Sequence, residues 1–235
     1  MAKKKKEKDE EKKPPEGYII VNAMDDWLQR PIEEAFADND FMKIILFYVL
    51  HSPCKKGSYS RIDLENYGWK NPWYYDDFKS QANKVGGFTD ANWHYKEAQK
   101  DFKEYWESLD YQNNFYDLER DEFVVFSHVG ESNPFMDLLH HIRNSFAHGR
   151  FTAKKIKRQK DYYIYMEDVS PENGFYKVNA RMILKKSTLL ALIDFFTCKS
   201  GEAKKICQDL SQRNTKNGKQ NAKPASRSSK KTKKS

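Results

Sequence analysis

Three residues past the middle of the chain, Arg143, Asn144 and His148, have the chemistry to cleave a phosphodiester. A guanidinium stays charged, can grip a phosphate through two parallel hydrogen bonds, and stabilises negative charge that builds at phosphorus. An imidazole can take and return a proton near neutral pH. Asn144, one helical turn before His148, can fix the ring's orientation or hydrogen-bond a sugar hydroxyl. Together they suit attack by an RNA 2′-hydroxyl on its neighbouring phosphate, a transesterification that needs no metal. The competing reading is a polar helix face with a terminal His that favours the helix dipole. With nine Arg and six His in 235 residues, an Arg-x4-His spacing arises by chance about 0.23 times, and requiring Asn directly after Arg lowers this to about 0.015.

These residues need a helix, and the sequence around them supplies one. Ser132-Asn133-Pro134 is a capping residue followed by proline at or near the first helical position. Phe135, Leu138, Leu139, Ile142 and Phe146 then recur at three and four residues, and Gly149 supplies a stop, so the pattern predicts a helix from about Pro134 to His148. Turning that apolar face to the core aligns Asp137, His141, Asn144, Ser145 and His148 on another face, expected to project and meet a phosphate or polar surface. Arg143 sits beside this stripe; His141 and Ser145 are expected to support it. Arg150, Lys154, Lys155, Lys157 and Arg158 follow directly and are expected to guide RNA toward it.

The segment Leu139-His140-His141-Ile142-Arg143-Asn144-Ser145-Phe146-Ala147-His148-Gly149-Arg150-Phe151 resembles the signature helix of HEPN domains, whose motif is Arg, a polar residue often Asn, three residues, then His. It is especially similar to bacterial, plasmid-borne and mobile-element HEPN proteins, in which His-Ile-Arg-Asn precedes Ala-His-Gly. The resemblance covers about residues 134–198. It implies a helical bundle, a homodimer that brings two motifs together, and metal-independent endoribonuclease activity of the kind found in toxins and phage defence. By position, Arg143 and His148 are then the catalytic pair and Asn144 the supporting polar residue. Some members are inactive and serve as RNA-binding or assembly modules. An antitoxin or other regulatory protein is a further partner that such a setting implies.

Earlier in the chain, Tyr18 to Val21 reads as a short extended segment, and Asn22, Met24, Trp27 and Leu28 as a helical pattern that Pro31 kinks or restarts. Asp38 or Asp40 can cap a helix from Phe41 to His51, apolar on nearly every face and therefore expected at the centre of the core. Ser52 to Asn71 reads as loop, with Trp69, Trp73, Tyr74 and Phe78 packing back. Thr89 or Asp90 is expected to cap a helix reaching Leu109, striped by Trp93, Ala98, Phe102, Tyr105 and Trp106. Phe123 to Phe126 fits a buried strand or a helix turn equally well. Tyr162 to Glu167 and Phe175 to Leu184 read as strands joined by a turn within Ser170 to Gly174, and Ser187 as the cap of a final helix. The fold expected is therefore mainly α, a HEPN-like helical bundle over residues 18–200 with a small β-hairpin before the last helix.

The formal charge of +8 divides unevenly: residues 1–17 carry +2 and residues 201–235 carry +9, which leaves −3 for residues 18–200. Basic character belongs to the tails, which are too poor in apolar residues to offset ordering entropy and are expected to be disordered. Lys3 to Lys6 is followed by acidic residues and Pro14-Pro15 where a secretory signal would turn apolar, and Phe41 to Leu50 is too short to span a bilayer, so a cytoplasmic location is expected. Cys54, Cys198 and Cys207 show no paired ligand spacing. His140 and His141 are adjacent and hence on different faces, which argues against a metal site; no phosphate-binding glycine loop is present, and no cofactor is expected.

Overall fold

The computed structural model describes residues 13–21, 26–29, 33–54, 62–69, 76–109, 115–116, 122–131 and 133–198. Both tails, apart from residues 13–17, together with Asn22, Met24, Pro31, Asn71, Trp73 and Tyr74, lie outside these residues. Among the described residues the architecture is a six-stranded mixed sheet with helices on both faces. The expected mainly helical bundle is thus overturned.

The strand order is β2 (Trp93–Lys96), β3 (Phe123–Ser127), β6 (Phe175–Lys185), β5 (Tyr162–Glu172) and β4 (Phe151–Lys155), with β1 (Ile20–Val21) pairing the far end of β6. Only β2 and β3 run parallel, and α4 (Gln99–Glu107) makes the crossover between them that a parallel pair requires. The stripe expected as one helix from Thr89 is therefore split. His94, Tyr95 and Lys96 pair with Val125, Phe126 and Ser127, and only Phe102 and Trp106 lie on a buried helix face. Local periodicity could not show this, because the pairing partner lies some thirty residues downstream. Phe123 to Ser127 is a buried strand throughout, and the basic segment after the Pro134–Ala147 helix is the edge strand β4.

Strand alternation assigns the two faces. Val124, Phe126, Ile164, Met166, Ala180, Met182 and Leu184 share a core with α1 (Glu33–Phe36), α2 (Asn39–Leu46), α3 (Asp76–Gly86), α5 (Pro134–Ala147) and α6 (Lys186–Thr197). Phe123, Val125, Tyr165 and Ile183 point the other way, onto Trp27, Phe102, Trp106 and Phe115. The β5–β6 hairpin turns at Asn173-Gly174, both at positive φ (53° and 89°), as a two-residue type I′ turn requires.

Asp38 caps α2 through the amides of Asp40 and Phe41, as expected, and the helix runs on as a π-helical turn to His51. This segment is not wholly central, since Met42, Leu46 and Leu50 are exposed along one side. Ser187 does not cap α6; its hydroxyl donates to Asp161 at 2.6 Å from inside the first turn. Trp69 and Phe78 do pack back, in mutual edge-to-face contact. Among the described residues no helix is long and apolar enough to cross a membrane.

Candidate functional site

Helix α5 begins where its sequence says it should. Asn133 accepts from the amides of Phe135 and Met136 at 2.9 and 3.2 Å, with Pro134 at the first helical position. It ends in a Schellman turn: the Arg150 amide donates to the Ser145 carbonyl at 2.8 Å and the Gly149 amide to the Phe146 carbonyl, with Gly149 at φ 67°. His148 is the C-cap residue of that turn and is exposed. Leu138, Leu139, Ile142 and Phe146 bury the helix against the sheet, each contributing about 1.5–3 kcal/mol relative to exposure.

The polar stripe does not project as expected. Asp137, His141 and Ser145 have no exposed surface at all. The reason is that α5 is covered over a wider arc than its apolar residues mark, lying over β5 and β3 on one side and against the Phe47–His51 turn on another. The buried polar groups are satisfied internally, as they must be. Ser145 donates to the His141 carbonyl at 2.8 Å, and Asp137 accepts from the amides of Val129 and Glu131, each at 3.1 Å, from His128 Nδ1 at 2.9 Å and from the Tyr95 hydroxyl.

His141 is the hub of the second network. Its Nε2 lies 2.8 Å from the Ser127 carbonyl, which can only accept, and its Nδ1 lies 2.6 Å from Asp168 Oδ2. The pair therefore carries protons on both contacts, as imidazolium against carboxylate or as the neutral pair with the shared proton on Asp168. Asp168 continues the α5-facing set of β5 after Ile164 and Met166, and a register shift falls directly behind it. Its Oδ2 also accepts from Asn144 Nδ2 at 3.5 Å, and Asn144 Oδ1 in turn accepts from Arg143 at 2.9 Å. A hydrogen-bonded chain thus runs from β3 through His141, Asp168 and Asn144 to the half-buried Arg143. Arg143 Nε is buried without a partner.

The five cations expected to guide RNA separate. Lys155, Lys157 and Arg158 are exposed around the β4–β5 turn, Arg158 at φ 63°, and Lys154 is half-buried. Arg150 is corrected: it is 5% exposed and ion-paired with Glu167, which also holds Arg181 at 2.7 Å. A cation so enclosed serves the sheet and not a solvent-borne strand.

Sequence reasoning missed Asp168 and Glu131, and read Cys54 only as a thiol without paired ligand spacing. The adjacent acids Glu167-Asp168 in the otherwise apolar run Tyr163 to Val169 were a usable signal, because a charge inside a buried strand needs a partner. Glu131 lies 3.3 Å from His140 Nδ1. Burial pushes the Cys54 thiol up to about 11; the charge of Glu131 acts in the same direction, while the Ser52 hydrogen bond and Arg143 oppose it. Among the described residues no three His, Cys, Asp or Glu side chains converge so as to hold a metal ion. No protein-family model, no curated protein and no solved structure matches the chain.

Proposed function

We propose that the chain is a metal-independent endoribonuclease acting on cellular RNA in the cytoplasm, with its site formed when two copies pair along the open face of α5. Arg143 holds the scissile phosphate, His148 takes the proton of the attacking 2′-hydroxyl, and Asn144 fixes the guanidinium. The observation that carries this reading is the division of labour at the end of α5. Arg143 is anchored through Asn144 to a buried network, while His148, one turn on, is free in solvent. A fixed anion holder beside an accessible proton carrier is what transesterification needs. The HEPN resemblance of the motif points the same way, although the sheet departs from the bundle that resemblance implies.

The test is incubation of the purified protein with total RNA in chelator, parent beside His148→Ala. Products should carry 2′,3′-cyclic phosphate and 5′-hydroxyl ends, and a 2′-deoxy substitution at the cut site should block the reaction. Cleavage that requires magnesium, or a folded His148→Ala that still cuts, refutes it. A second reading, a catalytically silent module that binds RNA or a regulatory protein such as an antitoxin, is favoured by the unpartnered, buried Nε of Arg143, which turns that edge of the guanidinium away from solvent. It predicts RNA retention without turnover in the same assay.

A further inference from the structure

The open face of α5 carries a second imidazole. At 100° per residue, His140, Arg143, Asn144 and Ala147 fall within one arc of the helix, and these are the α5 positions past its first turn that are left half-buried or exposed. The His140 ring is 14% exposed, and its Nδ1 is engaged by Glu131, a carboxylate whose own side chain is 2% exposed. That contact fixes the ring and leaves Nε2 as the nitrogen available to a ligand. His141 offers no such nitrogen, since both of its ring positions are bonded and its side chain is fully covered.

Within one chain His140 and His148 cannot flank a single phosphodiester, because eight residues of helix separate them by about 12 Å. Two α5 helices packed antiparallel about a twofold axis at Asn144 solve this. Positions facing each other across such an axis lie equally far on either side of it, so residue 140 of one copy stands opposite residue 148 of the other. Ala147, with only a methyl group on the same arc, lets the two helices approach closely.

We propose that His140 is the second proton-transfer group of the site and that it acts in trans, an inference that rests on the ribonuclease reading above. His148 of one copy accepts the 2′-hydroxyl proton as the 2′-oxygen bonds to phosphorus. The partner subunit's His140 delivers its proton to the 5′-oxygen as the bond from phosphorus to that oxygen breaks. The products are a 2′,3′-cyclic phosphate and a 5′-hydroxyl, and the two rings return to their starting protonation by exchange with water. Glu131 is a positioning residue for His140.

The experiment uses full-length His140→Gln and His148→Ala, pure and mixed by co-refolding, with His140→Asn as the replacement should His140→Gln lower the melting temperature. Each variant alone should lose about 10²–10⁴-fold in rate. In the mixture half of the dimers are heterodimers and each of these holds one intact composite site, so about a quarter of the parent rate should return. His140→Gln should also recover on an RNA whose 5′-bridging oxygen at the cut site is sulfur, since a thiolate leaves without a proton, and His148→Ala should not. A His140→Gln protein that cleaves at the parent rate while His148→Ala is dead overturns this inference and leaves the ribonuclease reading standing. A mixture as inactive as its components overturns the arrangement in trans. A parent protein that cleaves no RNA sinks both.

Discussion

Deleting the carboxylate of Asp168 tests the buried network most directly. His141 Nδ1 and Asp168 Oδ2 lie 2.6 Å apart with side chains 0% and 2% exposed, so in Asp168→Ala water cannot replace the lost acceptor. Removing one partner of such a pair leaves an uncompensated donor or charge and costs about 3–5 kcal/mol. For a domain of this size that lowers the melting temperature by roughly 6–20 °C. His141→Ala should cost a similar amount, because it strands Asp168 and the Ser127 carbonyl together. The double variant should then fall short of the sum of the singles by about 1–3 kcal/mol, the coupling expected of residues in direct contact. Urea titration followed by tryptophan fluorescence measures all three. A cost below about 1 kcal/mol for Asp168→Ala, or additivity within about 0.5 kcal/mol, would refute the claim that this pair is a closed, mutually dependent unit.

Three further outcomes are expected. Burial disfavours charge on Asp38, but hydrogen bonds from Lys186 and from the amides of Asp40 and Phe41 outweigh it and hold its carboxyl below the ordinary value. A depressed carboxylate contributes stability above its unfolded pKa of about 3.9 and loses it as pH falls through the folded value, so the melting-temperature gap between the parent and Asp38→Asn should close toward acid and stay constant above about pH 5. Cys54, with its thiol raised to about 11 by burial, should react with iodoacetamide at about pH 8 only when urea opens the fold; modification at the free-thiol rate in the native protein contradicts this. Arg150→Ala should lower stability by strand-core disruption, whereas neutralising Lys155, Lys157 and Arg158 should spare the melting temperature and flatten the salt dependence of RNA binding; the reverse pattern would return Arg150 to the surface patch.

What was legible in the sequence was what short-range pattern encodes. Helix α5, with its Asn133-Pro134 start and Gly149 stop, α6, the Asp38 cap and the β5–β6 hairpin all announce themselves within a dozen residues. The sheet did not, because β2, β3 and β4 acquire their identity from partners far along the chain. Trp93 to Lys96 carries aromatic spacing that fits a helix, and Phe151 to Lys155 looks like a basic linker until Met166 to Tyr162 runs beside it. The site divides in the same way. Arg143, Asn144 and His148 were visible as a motif, but the network that anchors Asn144 and Arg143 was not, since Asp168 lies 27 residues from His141. The polar stripe of α5 was misread as a solvent face because helical periodicity says which residues share a side and nothing about what covers that side. Glu167 and Asp168 show that charge inside an apolar strand is the better guide to a hidden partner.

The junction of α2 and α3 with α6 also sets a timetable for the ribosome. Tyr48 donates to the Leu189 carbonyl at 3.2 Å across 141 residues, Trp69 to the Phe196 carbonyl at 2.9 Å across 127, and Lys186 to Asp38 at 2.6 Å across 148. The contacts of α2 and α3 with α6 therefore cannot form until the last helix is made. At roughly 5–20 residues per second, the about 110 residues between the ends of α3 and α6 keep Phe78 waiting for Phe195 and Phe196 for roughly 6–20 s during synthesis. That interval, set by connectivity and not by final stability, is when the nascent chain offers its apolar surface to chaperones, and moving α6 ahead of α2 by circular permutation would abolish it.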